Sequence, residues 1–360
     1  MRIAVAISGG VDSLVAARLL QRDGHDVFGI HFLTGFESNA PDDSDSARSA
    51  AVDARIAGIR RMADRLGAPL EVIDLSGVFY STVATYFIDT YDDGRTPNPC
   101  MVCNPGIKLG HLWQCARKNG ADVMATGHYA IIGQNPDGRQ GLFRGADRNK
   151  DQSYFLARVT VEQLSRTMLP LGSWRKTDVK ALARAEGLEP AMTTESQDIC
   201  FLQGDTIAAF MARPDSAACR PGPIRDVSGR LVGTHPGLNH FTIGQRRHIN
   251  VPAAAPYYVV RIDAAENCLI VGGREDLMVT ACRAVEVNWI APPPQVPIFA
   301  MAKLRYRSRE VPARLTPTGP DSVSVRFEAS VEAVTPGQGA VFYDGDRVLG
   351  GGWITAESAF

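Results

Sequence analysis

The sequence is short of several things, and each shortage closes off a class of protein. Seven cysteines are scattered over 360 residues, too few for the disulfide framework of a secreted chain of this length. They are expected to be buried thiols, metal ligands or catalytic groups in a reducing compartment. No stretch approaches the ~20 apolar residues that span a bilayer. The N-terminal MRIAVAISGG runs straight into a glycine turn, without an apolar run and cleavage site, so no secretory signal is read there. The expectation is a cytoplasmic protein that has no dealings with a membrane. Neither sign of charge prevails: 38 Lys and Arg stand against 39 Asp and Glu, a net charge of -1. Any nucleic-acid surface must therefore be local. Internal repeats and low-complexity tracts are absent too.

What remains is an ordinary folded composition, 45% hydrophobic and 21% charged, in a chain long enough for two or three domains. The first 130 residues alternate between two kinds of pattern. Ile3–Ile7, Val27–Phe32, Leu70–Leu75 and Val123–Ala125 are short apolar runs that read as buried parallel strands. Ser13–Asp23, Ala47–Leu66, Val78–Thr90 and Ile107–Asn119 carry helical periodicity between them. Alternation of this kind predicts a parallel sheet wrapped by helices. From about residue 220, Pro, Gly and short β-branched runs take over. After the proline-rich Ala291–Pro297, the runs Ala300–Arg307, Ser322–Phe327 and Ala340–Tyr343 read as strands and Gly345–Asp346 as a hairpin turn. A small β-barrel is expected there.

The strongest local signal is Ser8-Gly9-Gly10-Val11-Asp12-Ser13, between a strand and a helix. Two glycines let backbone N–H groups face an anion, and the following helix adds its positive end. Ser8 and Ser13 supply hydroxyls, and Asp12 is placed to reach a magnesium ion or a phosphate-bound water. The Lys that a Walker loop carries before its last Ser/Thr is missing, as is G-x-G-x-x-G. A bare Gly-Gly is commonly just a turn, but six matching positions after the first strand favour phosphate. The hexapeptide resembles the pyrophosphatase loop (PP-loop) of enzymes that cleave ATP to AMP and pyrophosphate. GMP, NAD and argininosuccinate synthetases share this loop with tRNA sulfur-transfer enzymes, so the loop alone does not choose among them.

The choice comes from GRTPNPCMVCNPGIKLG at Gly94–Gly110 and TTESQDICFL at Thr193–Leu202. ATGHYA lies at Ala125–Ala130, KDQSYFL at Lys150–Leu156, TIGQRR at Thr242–Arg247, LRYR at Leu304–Arg307 and PGQGAVFYDGDRVLGGGW at Pro336–Trp353. In this order and at these spacings the chain resembles, over essentially its whole length, the bacterial and mitochondrial tRNA-specific 2-thiouridylases. The resemblance implies a Rossmann-like α/β PP-loop domain over 1–205, of the adenine nucleotide alpha hydrolase type. It also implies a small central tRNA-contacting domain over 206–280 and a C-terminal β-barrel over 281–360. The activity implied is ATP-dependent 2-thiolation of the wobble uridine of tRNA, releasing AMP and pyrophosphate. Expected partners are tRNA and a persulfide sulfur-donor protein; expected cofactors are ATP and Mg2+.

By the same resemblance Cys103 is the nucleophile and Cys200 carries the persulfide, the pair forming a redox-active disulfide during turnover. ATP is held by Ala6, Ile7, Ser8, Gly9, Gly10, Val11, Asp12, Ser13, Phe32 and Gly127. The tRNA is met by Asn98, Pro99, Cys100, His128, Lys150, Asp151, Gln152, Arg305, Tyr306 and Gln338. Cys103 sits just ahead of the expected Ile107–Asn119 helix with Lys108 close by, a setting that eases thiol ionisation. Cys115, Cys219, Cys268 and Cys282 read as small buried hydrophobes.

Two points stay open. Many family members carry an aspartate at the position of Cys100, where it serves as acid or base; here either another group handles the proton or Cys100 has a different task. Cys100, Cys103 and Cys200 also make up three thiolates, as in related enzymes that hold an iron–sulfur cluster, so a cluster stands beside the cluster-free persulfide route. In the last unit Lys303, Arg305, Arg307 and Arg309 are spaced by two. On a strand they project from one face, which suits a phosphate backbone or a charged edge.

Overall fold

A computed structural model describes residues 1–37, 45–188, 199–202, 206–211 and 217–355. The chain gathers into two compact units, each assembled from separate stretches. Met1–Val83, Cys100–Gln203 and Asp346–Val348 form the first; Ala84–Pro99, Gly204–Gly345 and Leu349–Phe360 form the second.

The first unit holds β1 (Arg2–Ala6), β2 (Asp26–Leu33), β3 (Leu70–Asp74), β4 (Val123–Ala125), the hairpin strands β5 (Ala130–Gln134) and β6 (Gln140–Arg144), and β7 (Thr167–Met168). Five of them make a parallel sheet in the order β3-β2-β1-β4-β7. The apolar run at the start of the chain has no polar face because both sides of β1 are covered: Ile3, Ala4 and Val5 are fully buried. Leu14, Val15 and Leu20 of the Val11–Arg22 helix close over it with Ile59, Met62 and Val179. The parallel sheet expected from the sequence is present. β7, two residues long, carries no apolar run and was not foreseen.

Two helices differ from expectation. The helical stretch expected at Val78–Thr90 is Ser76–Phe79, a π-helical turn over Tyr80–Ala84, then Thr85–Asp92. The helix expected at Ile107–Asn119 starts eight residues sooner. Pro99–Cys103 is α-helical, Asn104–His111 is π-helical and Leu112–Lys118 returns to α. Pro105 explains the change of register: it has no N–H to give to the preceding turn, and the run continues by the wider i→i+5 pattern.

In the second unit β8 (Gly222–Asp226), β9 (Leu231–His235), β10 (Tyr258–Asp263) and β11 (Cys268–Gly272) form a sheet ordered β10-β11-β8-β9. Ile224, Phe241, Val259, Leu269 and Val271 make its core. Then β12 (Met278–Trp289), β13 (Ile298–Lys303), β14 (Val311–Gly319), β15 (Ser322–Glu332), β16 (Gly339–Asp344) and β17 (Arg347–Ile354) follow in the order β12-β15-β14-β13-β16-β17. Pairing of β12 with β17 closes a six-stranded barrel, filled by Leu315, Val323, Val325 and Phe342. Closure leaves no open edge. The turn expected at Gly345–Asp346 joins β16 to β17, while the proline-rich run lies between β12 and β13.

One reading of the barrel is overturned. The strand expected over Ala300–Arg307 ends at Lys303, and Arg305–Ser308 form a turn. The four cations do not share a strand face. The Arg305 guanidinium turns inward and donates to the carbonyls of Ile243 (3.0 Å) and Ala333 (2.6 Å) and to the Thr335 hydroxyl. Arg307 and Arg309 are exposed.

Candidate active site

The segment Ile7–Ser13 leads from β1 through a loop at Ile7–Gly10 into the first turn of the Val11–Arg22 helix, and its geometry follows from its residues. Gly9 takes φ +89°, a region that side-chain-bearing residues rarely adopt. Ser13 is buried; its hydroxyl donates to Gly10 O at 2.9 Å and accepts from Ser8 N at 3.3 Å. Ser13 therefore shapes the loop from within, whereas the sequence suggested a donor aimed at phosphate. Gly10 occupies the N-cap and supplies no side-chain cap, which leaves the first N–H groups of a 12-residue helix for an anion. Ile7 N bonds Ile30 O at 2.9 Å, and Ile7 O accepts from His31 Nδ1 at 2.7 Å. The other nitrogen of this buried imidazole finds no partner among the described residues, and burial lowers the pKa of the ring.

Gly127 explains itself sterically. A Cβ there would lie 2.9 Å from the Asp12 carbonyl carbon and the Ser13 nitrogen, so only glycine lets the end of β4 pass this close to the loop. Phe32 is the penultimate residue of β2, half-buried. All ten expected nucleotide residues thus stand at the carboxyl ends of β1, β2 and β4 or in the loop and first helical turn after β1, where parallel sheets bind ligands.

A residue that the sequence did not single out completes the loop. Lys176 is buried and opens the Lys176–Ala185 helix; its Nζ donates to both carboxylate oxygens of Asp12, each at 2.7 Å. The Tyr129 hydroxyl donates to Asp12 Oδ1, also at 2.7 Å.

The cysteines stand on two segments of the same unit. Cys100 and Cys103 lie on Pro99–Cys103, three residues apart. Cys103 is buried and Cys200 exposed. Phe201 anchors Cys200 from next door: its ring packs on Phe36 at 5.8 Å and Phe79 at 5.6 Å. Residues 189–198 lie outside the described residues, and with them all of TTESQD. The three thiols feel one another and the Lys108 ammonium. Lys108 follows Cys103 by five residues along the π-helical segment, and its charge acts on the thiol. Gln163 holds that register by donating to Pro105 O at 2.7 Å and Leu109 O at 3.2 Å.

The expected ease of ionisation is overturned. Cys103 lies inside a continuous helical run and not ahead of a helix N-terminus. Burial pushes its thiol up to about 12, against the pull of Lys108. Burial and the neighbouring Cys200 push Cys100 up to about 11. Crowding by protein raises Cys200 as well, although its surface is open to water. Among the described residues no group of three or more His, Cys, Asp or Glu is arranged to hold a metal. The three thiols do not present a cluster's ligand set. His128 is neutral at pH 7: burial and Lys108 hold its pKa well below 6.5, and its Nδ1 is 2.7 Å from the Thr126 hydroxyl.

The residues expected to meet tRNA are mostly engaged by their own unit. In the first unit the buried Asp151 carboxylate accepts from Gly145 N, Ser153 N and Ser153 Oγ at 3.0, 3.1 and 2.9 Å. Gln152 Oε1 accepts from Tyr129 N at 3.0 Å, and Lys150 is half-buried beside them. In the second unit Asn98 is buried and gives its N–H to the Tyr86 hydroxyl at 3.2 Å; Pro99 follows. Gln338 donates to the carbonyls of Thr96 (3.2 Å) and Pro97 (2.9 Å). Lys303 lies 5.4 Å from the Tyr306 ring centre. No described helix is long and apolar enough to cross a membrane.

Comparison with known proteins decides the family. Family models described as a tRNA methyl transferase HUP domain, PRC-barrel domain and aminomethyltransferase beta-barrel domain match residues 1–204, 213–273 and 279–354. A curated "tRNA-specific 2-thiouridylase MnmA" of Desulfosudis oleivorans is 49% identical over 99% of this chain and 95% of its own length. Its namesake in Syntrophotalea carbinolica is 44% identical over 98% of both chains. The chain belongs to the tRNA-specific 2-thiouridylase family. That of Geotalea uraniireducens is 42% identical over 98% of this chain and 94% of its own. A solved 4-thiouridine synthetase–RNA complex with bound ATP covers 55% of this chain and 44% of its own, with 19% identity and TM-score 0.33. The family models are named for methyl transfer and the curated relatives for thiolation. The curated thiouridylases are matched in one alignment over nearly the whole chain.

Proposed function

We propose that the protein thiolates C2 of the wobble uridine of tRNA, consuming ATP. The observation that carries this reading is the near-complete match to curated thiouridylases, in a chain whose loop and two cysteines lie in one compact unit. A uracil carbonyl oxygen is a poor leaving group. Attack of that oxygen on the α-phosphorus of ATP, bound as its magnesium complex, makes it an adenylate and expels pyrophosphate. Ser8–Ser13, Phe32 and Gly127, with Ala6 and Ile7 leading in, form the nucleotide pocket in this reading.

A persulfide on Cys200 then attacks C2. The Cys103 sulfur attacks the Cys200 sulfur and gives up its proton to the departing AMP phosphate; the S–S bond breaks with its outer sulfur left on C2, and AMP leaves the same carbon. A Cys103–Cys200 disulfide remains, which an external thiol reductant reopens. Access supports this division of roles. A donor protein carrying persulfide sulfur meets the exposed Cys200, while Cys103 is buried. His128, held neutral by burial and Lys108, resists protonation, so it does not replace the aspartate for which Cys100 stands. Asn98, Pro99, Cys100, His128, Lys150, Arg307 and Tyr306 are the tRNA-facing positions we retain, Arg307 joining them because it is exposed. Arg305, Gln338, Asp151 and Gln152 act by holding the segments that carry these groups. We keep the three-part division 1–205, 206–280 and 281–360 as the domain assignment. Both substrates are cytoplasmic molecules, and we place the protein there.

The test is thiolation of an unmodified tRNA with ATP and a persulfidated donor, read by mass spectrometry of the nucleosides. Cys103→Ser and Cys200→Ser should each abolish it, with Cys100→Ser retaining substantial activity. A trapped single turnover should yield the Cys103–Cys200 disulfide. Pyrophosphate release that ignores tRNA, or activity surviving both serine variants, would replace this reading with an amide-forming synthetase on the same fold.

A further inference from the structure

The loop lacks the lysine that a Walker loop places beside the phosphates, yet the structure brings one to it from far along the chain. Lys176 is 164 residues from Asp12. Its backbone N–H is fixed by Asp147 Oδ2 at 3.0 Å, and its ammonium lies 5.7 Å from the Tyr129 ring centre. The side chain is 10% exposed against 32% for its partner, so the cation reaches the loop from the protein side and Asp12 stands toward solvent. A buried ammonium is costly unless paired. Here its pair is the carboxylate at the mouth of an uncapped helix N-terminus, where an anion belongs.

We propose that Lys176 is the phosphate-binding cation of this site, and that Lys176 and Asp12 hold each other's place while it is empty. The inference rests on the loop being an ATP site. A polyphosphate entering at the helix N-terminus offers the ammonium a stronger anion than one carboxylate. Asp12, released, is left to the cation that accompanies the nucleotide. Tyr129 stays on Asp12 Oδ1 and keeps the carboxylate aimed. The β- and γ-phosphates are the groups concerned, because the α-phosphate must stay open to the uracil oxygen.

The experiment is calorimetric titration of the full chain with ATP, inorganic pyrophosphate and AMP, each with and without magnesium. Lys176→Met should weaken pyrophosphate and ATP about ten- to hundredfold, the range of a charge-assisted hydrogen bond. AMP, without the outer phosphates, should change less than about threefold, and Lys176→Arg should keep most of the affinity. Equal loss for all three ligands would make Lys176 a structural residue and overturn the proposal, as would unchanged pyrophosphate binding. Should Lys176→Met not fold, Asp12→Asn is the second arm. With the lysine freed from its carboxylate, magnesium-free pyrophosphate should bind at least about threefold more tightly; unchanged or weaker binding would overturn the proposal. A wild-type chain that binds neither ATP nor pyrophosphate would instead remove the ATP reading itself.

Discussion

Replacing Gln163 by Leu should cripple a site whose residues it never touches. Its amide nitrogen donates to Pro105 O and Leu109 O, and its oxygen accepts from Thr160 N in a capping box. Leucine keeps the approximate volume and deletes all three bonds. Two amide–carbonyl bonds to half-buried groups contribute about 1 kcal/mol each, and loss of the capping box costs about 1 more. The expected destabilisation is about 2–4 kcal/mol, a fall in Tm of roughly 5–15 °C for a unit of this size. Pro105 and Leu109 bracket Lys108 on the π-helical segment, so the placement of Lys108, whose charge acts on Cys103, should loosen as well. Differential scanning calorimetry reads the first effect. The second appears as a drop in thiolation rate at a temperature where the variant is still folded, with ATP affinity unchanged because the loop is elsewhere. A Tm within about 2 °C of wild type together with normal thiolation would refute the claim that Gln163 holds the register.

Gly127→Ala should weaken ATP binding at least tenfold, measured by titration, since its Cβ would press on the backbone of Asp12 and Ser13; unaltered affinity would mean the loop tolerates the push. Arg307→Glu should lower tRNA affinity and flatten its salt dependence in filter binding without changing Tm. Arg305→Glu should lower Tm, because its guanidinium is tied to Ile243, Ala333 and Thr335; equal behaviour of the two variants would contradict this contrast. Acid should destabilise the protein beginning near pH 6.5. His31 and His128 are held neutral by burial, so below 6.5 the unfolded chain takes up protons that the folded one refuses, costing up to about 1.4 kcal/mol per pH unit for each. Urea unfolding at pH 7.0, 6.0 and 5.5 checks the sign, and flat stability across that range would contradict it.

Signals that are local and periodic could be read from the sequence; those that depend on distant partners could not. β1, β2 and β4 announced themselves because strands covered on both faces become continuous apolar runs, and Ser8–Ser13 because a tight anion loop needs glycine and hydroxyl residues in fixed order. Lys176 gave no sign, since nothing in Arg175-Lys176-Thr177 tells of Asp12. The basic alternation from Lys303 to Arg309 misled for the opposite reason. Its period of two matched a strand, but the strand stops at Lys303 and the turn that follows is stabilised by Arg305 itself. For Cys103 the spacing suggested a helix start. Pro105, which ordinarily ends a helix, instead shifts one into π register, and the burial that goes with it reverses the expected acidity of the thiol.

The interleaving of the two units has a bearing on synthesis. Thr96 and Pro97 are held by Gln338, 242 residues later in the chain, and Tyr86 stacks near Trp353 at 5.4 Å. A ribosome adding ~5–20 residues per second needs roughly 12–50 s to make that span. Through that interval the Ala84–Pro99 stretch, which leads straight into Cys100, has emerged without the strands that fix it. Nascent chains would therefore carry Phe87 and Tyr91 uncovered, although both are buried in the finished fold. A fragment stopped at residue 205 stays in that condition for good. Stop codons that trim the barrel should thus yield aggregating protein rather than a smaller working enzyme, and chaperone demand should peak before the last strand is made.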